Sequence, residues 1–430
     1  MSKTAWHKIE KQALEMLQQL LRLNTTNPPG NERIATDYIR PILERDGIEP
    51  IVIESAPTRA NLVAKIEGGS GRSPNSDPLM ISFHTDVVPA ETKSWSRAPF
   101  GGEIHQGCVW GRGALDMKNK AAMDIAIFTA LRRSGAIPQR DLILAAVTDE
   151  EAGSDLGARY LVEQHPDLIR AGYVLNEAGG FTMFFGDRRL YPIQVAEKGY
   201  VTIEMTVHGK PGHGSMPRND NVIVRLSELI TKIAKTPMRE RMTPLIRGLL
   251  DRLGVPHESL PPLFNALLSN TVSATIVRAG YKDNVIPGEA SVVLDGRTLP
   301  GEDPESFMAE LRSIVGPEPS FRLLKTAPPA EASADTPLFD LITRKVEAAD
   351  PGAHTVAWMI PGATDNKFYA RLGAVCYGFS PVKLTPHLPF GSLFHGNDER
   401  IPVDGFLWGL RVYAEVVLEF IGLKFSDVFD

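Results

Sequence analysis

Two histidines and several carboxylates follow apolar runs or open helical ones, and such side chains hold divalent ions and move protons. His84-Thr-Asp86 comes directly after the apolar residues 79–83, so Asp86 is placed to hold the ring N–H of a His84 that binds metal through its other nitrogen. Trp110-Gly-Arg-Gly-Ala-Leu-Asp-Met-Lys118 sets Asp116 behind a two-glycine turn and ahead of a helix. Asp149-Glu150-Glu151 follows the apolar residues 142–147, and Glu177 follows 173–176. His395 lies far downstream, before an expected helix. Each has a plainer reading, as a loop His-Asp pair, an N-capping aspartate or solvated glutamates. Taken together, His84, Asp116, Glu151, Glu177 and His395 suit two zinc ions with nitrogen and oxygen ligands. With Asp116 bridging, Glu151 and His395 complete one site, and His84 and Glu177 the other. Glu150 is left over, in the place a general base for hydrolysis needs.

The elements that must carry these residues alternate along the chain. Apolar spacing predicts helices over 6–23 and 32–45, separated by the Pro/Gly/Asn-rich loop 24–32. Strand candidates follow at 50–53, 62–66, 79–83, 141–147 and 173–176, with a helix over 120–133 between them. Strands alternating with helices imply an α/β fold with a mostly parallel sheet covered on both faces. From Lys198 the pattern changes to alternating Val201, Ile203, Met205 and Val207, which reads as a half-exposed antiparallel strand. A leucine-rich helical stretch over 221–268 and strands at 271–277, 290–295 and 321–325 come next, before a Pro/Ala-rich linker at 327–333. A C-terminal helix is expected over 406–420. The organisation is therefore a catalytic metal-binding domain in two parts, 1–197 and 330–430, interrupted by an inserted α+β domain at 198–329.

The 430 residues carry 46 basic and 52 acidic side chains, a net charge of −6 without a basic block, which argues against nucleic-acid binding. No apolar run reaches the roughly 18 to 20 residues of a spanning helix, and the first residues lack the apolar core of a signal peptide, so a cytoplasmic protein is expected. Cys108 and Cys376 form no C-x-x-C pair and offer neither a disulfide framework nor a thiolate zinc site. A nucleotide-binding reading lacks both G-x-G-x-x-G and a P-loop lysine.

Several spaced motifs in order then resemble the M20 family of metallohydrolases: His84-x-Asp86 with Val87-Val-Pro89, Gly111-Arg-Gly-Ala-Leu-Asp-Met-Lys118, Glu150-Glu151, Glu177, Gly212-His-Gly-Ser215 and His395-Gly-Asn-Asp-Glu399. The resemblance runs nearly end to end and is nearest the carboxypeptidase S and N-acyl-amino-acid hydrolase branch. It implies the ligand pairing above, the base role for Glu150, an orienting role for Asp86, and a lid domain that also forms a homodimer. It further implies that His213 reaches the partner subunit's site to stabilise an oxyanion. Asn284 and Arg297 match positions that hold a substrate carboxylate, and Gly362 and Thr364 lie in a loop matching a substrate-contacting one. Ala363 and Asn119 stand where glycine is often found. The implied activity is a dizinc amidohydrolase, with Co2+ or Mn2+ as the other metals, that cleaves an N-acyl amino acid or peptide bearing a free carboxylate. Within the class, a dipeptidase or desuccinylase is the competing reading. Outside it stands a catalytically idle metal-binding dimer scaffold, which has no use for an unligated Glu150.

Overall fold

The computed structural model describes residues 3–69, 76–257 and 264–429. The chain folds as two compact units. The first comprises Met1–Val195, Ala332–Trp358 and Thr364–Asp430, and the second Ala196–Glu331 with Met359–Ala363.

In the first unit, four parallel strands run in the order Leu142–Val147, Leu79–His84, Tyr173–Asn176 and Val375–Gly378. The first three are mainly apolar strands of four to six residues, buried throughout except for the half-buried Tyr173, as a doubly covered parallel sheet requires. Antiparallel strands flank them: Arg59–Ile66 and then Ile51–Ala56 beyond Leu142–Val147, and Arg188–Glu197 beside Val375–Gly378. The α/β expectation is borne out, with the parallel part confined to the centre of the sheet. One face is covered by the helix Lys118–Ser134, which packs on Leu79–His84 and in turn against Lys3–Arg22 and Val403–Phe420. The other face buries Met80, Ile143, Ala145 and Val174 against Leu161, Val162, Phe368 and Tyr369. Lys118–Ser134 is buried over all but its last three residues and ends on Gly135 in the left-handed region.

Parallel strands end at one edge, so register alone gathers their C-terminal residues. His84 lies opposite Val147, and Gly378 opposite Asn176. The carboxyl edge of such a sheet is where ligands of open α/β folds bind.

The second unit is built on an antiparallel sheet ordered Thr271–Ala279, Glu289–Thr298, Gly199–His208 and Ser320–Ala327. Gly199–His208 alternates buried and half-exposed residues along its length. Its inward Val201, Ile203, Met205 and Val207 pack with Leu226 and Leu229 of Val222–Lys235 and Phe307 and Leu311 of Pro304–Val315. Among the described residues, the helical run expected over 221–268 is instead broken into Val222–Lys235, Pro244–Leu253 and Asn265–Leu268. Asn221 and Thr243 cap the first two through side-chain hydrogen bonds, and Pro244 opens the second, so local capping overrides leucine periodicity there. Residues 258–263 of that run lie outside the described residues. Met359–Ala363 belongs to this unit, where Lys198 N–H donates to Ile360 O at 3.3 Å. Among the described residues no helix is long and apolar enough to cross a membrane.

Candidate metal centre

His84 ends its strand with 1% of its surface exposed. Its Nδ1 lies 3.0 Å from the Asp86 carbonyl oxygen and 3.5 Å from Asp86 Oδ1, so the other nitrogen faces outward from that pair. That nitrogen, Nε2, lies 3.0 Å from Asp116 Oδ1 and 3.5 Å from Glu177 Oε2. The second oxygen of Asp116 lies 2.9 Å from His395 Nε2, which is 3.2 Å from Glu151 Oε2. Thus one buried carboxylate faces two imidazoles, one through each oxygen. His84, Asp116 and Glu177 offer ligand atoms within 4.8 Å of one another, and so do Asp116, Glu151 and His395. Glu150 belongs to neither group.

Short-range structure sets these positions. Asp149 takes φ of 69°, a left-handed conformation that aspartate tolerates, and starts the single 3-10 turn Glu150–Ala152. Asp86, fully buried, accepts the Glu150 N–H at Oδ1 (3.2 Å) and the Glu151 N–H at Oδ2 (3.1 Å). Glu177 follows its strand without a break, and a Cβ on Gly378 would meet the Glu177 carbonyl oxygen at 2.0 Å. Only glycine lets the neighbouring strand approach that closely. His395 was expected just ahead of a helix. It instead sits in a left-handed conformation after the short helix Phe390–Leu393, and the strand Arg400–Pro402 intervenes before Val403–Phe420. Its ring stacks on Phe394 at 4.1 Å between centroids.

Asp116 is held from behind by Glu399, whose role has no local sign in the sequence. Glu399 is fully buried and accepts the N–H groups of Gly113 (3.1 Å), Leu115 (2.7 Å) and Asp116 (3.2 Å), together with Arg112 Nη1 at 2.7 Å. The Arg112 guanidinium in turn lies over the Trp95 ring. Glu399 ends the His395-Gly-Asn-Asp-Glu399 motif, but its backbone partners are 283 to 286 residues away, and only the folded chain shows them. Glu399→Gln leaves the buried Arg112 without its counter-charge and places an amide donor among N–H groups. A loss of about 3–5 kcal/mol is expected, the range for breaking a buried pair, to be measured as a shift in the urea midpoint.

The electrostatics of the cluster are those of crowded carboxylates. Burial pushes Glu150 well above the usual carboxylate range, and the Glu177 charge adds to this. Burial also lifts Glu177 to about 8 and, with the Asp116 charge, Glu151 to about 7. Burial works against Asp116 as well, yet hydrogen bonds from His395 and His84 hold it below the ordinary range. For His395 burial is outweighed by Asp116 and Glu151, which raise it to about 10. Crowding of this kind is what divalent cations offset. Glu151 Oε1 is buried and has no hydrogen-bond partner, as expected of an oxygen that awaits a cation. Three carboxylates and two imidazoles are the donor set of a two-ion zinc-type site, so the residues fit such a pair.

The residues matched to substrate contacts are distributed over both units. His213 is exposed in the two-residue strand Gly212–His213, paired with Val285–Ile286. Its Nδ1 accepts the Ser215 N–H at 3.2 Å, which leaves the proton on Nε2. Asn284 is its neighbour, its carbonyl accepting the Gly214 N–H at 2.8 Å. Arg297 lies on Glu289–Thr298 and is engaged by both oxygens of Asp295, at 3.1 Å each. Gly362 has open space where a Cβ would stand. Thr364, in the first unit, is buried, and its Oγ1 accepts the Asn366 N–H at 3.2 Å.

The sequence is 26% identical to human aminoacylase-1 over 95% of each chain. It is 25% identical to the N-fatty-acyl-amino acid synthase/hydrolase PM20D1 of Xenopus tropicalis, over 95% of this chain and 86% of that one. The fold superposes on an M20 family metallo-carboxypeptidase from Sulfolobus solfataricus with a TM-score of 0.73 at 18% identity, covering 96% of this chain and all of the other. A Bacillus subtilis protein described as a dinuclear metal binding peptidase from the M20 family superposes with a TM-score of 0.63 at 16% identity, over 96% and 99% of the two chains. Residues 80–419 match Peptidase family M20/M25/M40, and the chain belongs to that family of metallohydrolases acting on amide bonds.

Proposed function

We propose that the chain is a dizinc amidohydrolase that cleaves an N-acyl amino acid or short peptide carrying a free carboxylate and releases an amino acid. One observation carries the reading: a single carboxylate, Asp116, is common to two ligand groups, and the buried Glu150, which feels the charges of Glu177, His84 and Glu151, belongs to neither. Aminoacylase-1 and the N-fatty-acyl-amino acid hydrolases, by their names, act on N-acyl amino acids, which supports the acyl branch over the dipeptidase one.

His84, Asp116 and Glu177 would hold one ion, and Asp116, Glu151 and His395 the other. When bound, such a pair polarises a scissile carbonyl and makes water a nucleophile near neutral pH. Asp86 fixes the His84 ring through Nδ1 and anchors the backbone of Glu150 and Glu151. Glu150 accepts the proton of the attacking water and returns it to the leaving amine nitrogen. His213 of a second copy, protonated on Nε2, donates to the oxyanion of the tetrahedral intermediate, and its loss would cost about 10²–10³ in kcat. Arg297 and Asn284 take the substrate carboxylate, Arg297 exchanging its fork on Asp295 for the ligand. Gly362 and the backbone at Thr364 would contact the substrate.

The test is amine release from acetyl, butyryl and octanoyl derivatives of leucine, methionine and phenylalanine, alongside a dipeptide set. Chelator-stripped protein is assayed before and after return of zinc, cobalt or manganese. Metal-restored turnover of the N-acyl set is expected. Turnover of dipeptides alone would move the substrate to the peptidase branch, and no turnover with two ions bound would contradict the reading.

A further inference from the structure

The loop 24–32 separates the first two helices, and its side chains reach the turn that carries Glu150 and Glu151. Asn27, 3% exposed, donates from Nδ2 to Asp86 Oδ2 at 2.8 Å and to Asp149 Oδ1 at 3.1 Å. It thereby joins the residue that anchors the Glu150 and Glu151 amides to the residue that starts their turn. Asp149 Oδ1 also receives Arg59 Nη2 at 2.7 Å, and Asp149 Oδ2 receives the Leu156 N–H at 3.1 Å. Arg59, 8% exposed, is itself gripped by Glu32, from Nε to Oε2 at 2.6 Å and from Nη2 to Oε1 at 2.8 Å. Its Nη1 donates to the Pro29 carbonyl at 3.1 Å. Glu32 is fully buried, and its Oε1 lies 3.4 Å from the Asp149 N–H.

The loop is shaped to the guanidinium. Gly30 has φ of 84°, and a Cβ there would stand 2.3 Å from Arg59 Cζ. No side chain fits at that position, so the backbone closes directly over the arginine. The arrangement brings three carboxylates, Glu32, Asp86 and Asp149, into one buried network with a single guanidinium and a single amide. Such networks hold a geometry firmly when every member is satisfied.

We infer that Asn27 and Arg59, with Glu32 and Asp149, are positioning residues that fix the Glu150–Glu151 turn, with Asn27 as the connector between Asp86 and Asp149. Without the Asn27 amide, Asp86 and Asp149 lose their common donor, and the turn that aims Glu150 loses the link between them. A base displaced by less than an ångström loses rate while substrate contacts elsewhere persist. The inference rests on Glu150 being the general base.

The test compares Asn27→Leu, Asn27→Gln and Arg59→Lys with the parent enzyme, using the fastest N-acyl substrate of the panel above, and repeats Asn27→Leu in a Glu150→Gln background. Metal content is read for every variant. Asn27→Leu is expected to lose about tenfold to a hundredfold in kcat, with KM within threefold and two ions retained. Asn27→Gln, which keeps the amide donor, should recover part of that loss. Arg59→Lys, which keeps charge but not the fork, should show the same pattern and serves if Asn27→Leu does not fold. In the Glu150→Gln background, Asn27→Leu should cost less than about threefold more, because residues acting through one group are not additive. The inference is overturned if kcat stays within threefold of the parent in the variants that fold, if the losses multiply in full in the double variant, or if they track lost metal. A Glu150→Gln enzyme with near-parental kcat would instead remove the base reading, and this inference with it.

Discussion

Glu150→Gln is expected to lower kcat by about 10³-fold while leaving two metal ions bound. General base catalysis contributes roughly 10²–10⁴ in rate, and glutamine keeps the size and shape of the side chain but cannot accept the proton. The exchange does not disturb the backbone of the turn, since the Glu150 N–H to Asp86 bond comes from the main chain. Glu150 is also absent from both ligand groups, so its neutralisation removes no ligand. The check is steady-state kinetics on the N-acyl panel beside metal analysis of the same preparation. A variant that keeps kcat within tenfold would end the base assignment, and one that loses metal in proportion to activity would make Glu150 a ligand.

Asp116→Ala should have an effect at least as large, through a different quantity. Asp116 supplies one oxygen to His84 at 3.0 Å and the other to His395 at 2.9 Å. Removing it takes a ligand from both groups, whereas His84→Ala takes one from the first alone. The expected metal content is near zero for Asp116→Ala and near one per chain for His84→Ala. Lost metal carries several kcal/mol of transition-state stabilisation with it, and each 1.36 kcal/mol is tenfold in rate, so activity should fall by about 10³-fold or more. Elemental analysis by mass spectrometry after gel filtration decides the point. Retention of two ions by Asp116→Ala would show that the two groups are not joined through this residue.

How much of this could be read in the chain depended on where the determining contacts lay. The short buried strands are legible because 79–83, 142–147 and 173–176 are mainly apolar, broken only by Ser82 and Asn176, and the carboxylates and histidine that follow are close behind them in sequence. Direction within the sheet was less accessible. The strand expected over 62–66 carries no mark of its direction, and only pairing shows Arg59–Ile66 to be antiparallel to Leu142–Val147. The run 221–268 misled through its leucines, since Thr243-Pro244 is a helix start that outranks periodicity. Glu399, Asn27 and Arg59 act on partners tens to hundreds of residues distant. Nothing local to Arg59 marks it as more than a strand residue. Arg297 had a local signal, Asp295 two positions earlier on the same face of the strand, and that spacing foreshadowed the ion pair.

The most direct test of the account is anomalous diffraction at the zinc edge from crystals of the zinc-loaded protein. Two peaks are expected, one among His84, Asp116 and Glu177 and one among Asp116, Glu151 and His395, with the Glu150 carboxylate bound to neither. A single peak, or Glu150 within ligand distance of roughly 2.0–2.2 Å from zinc, would contradict it.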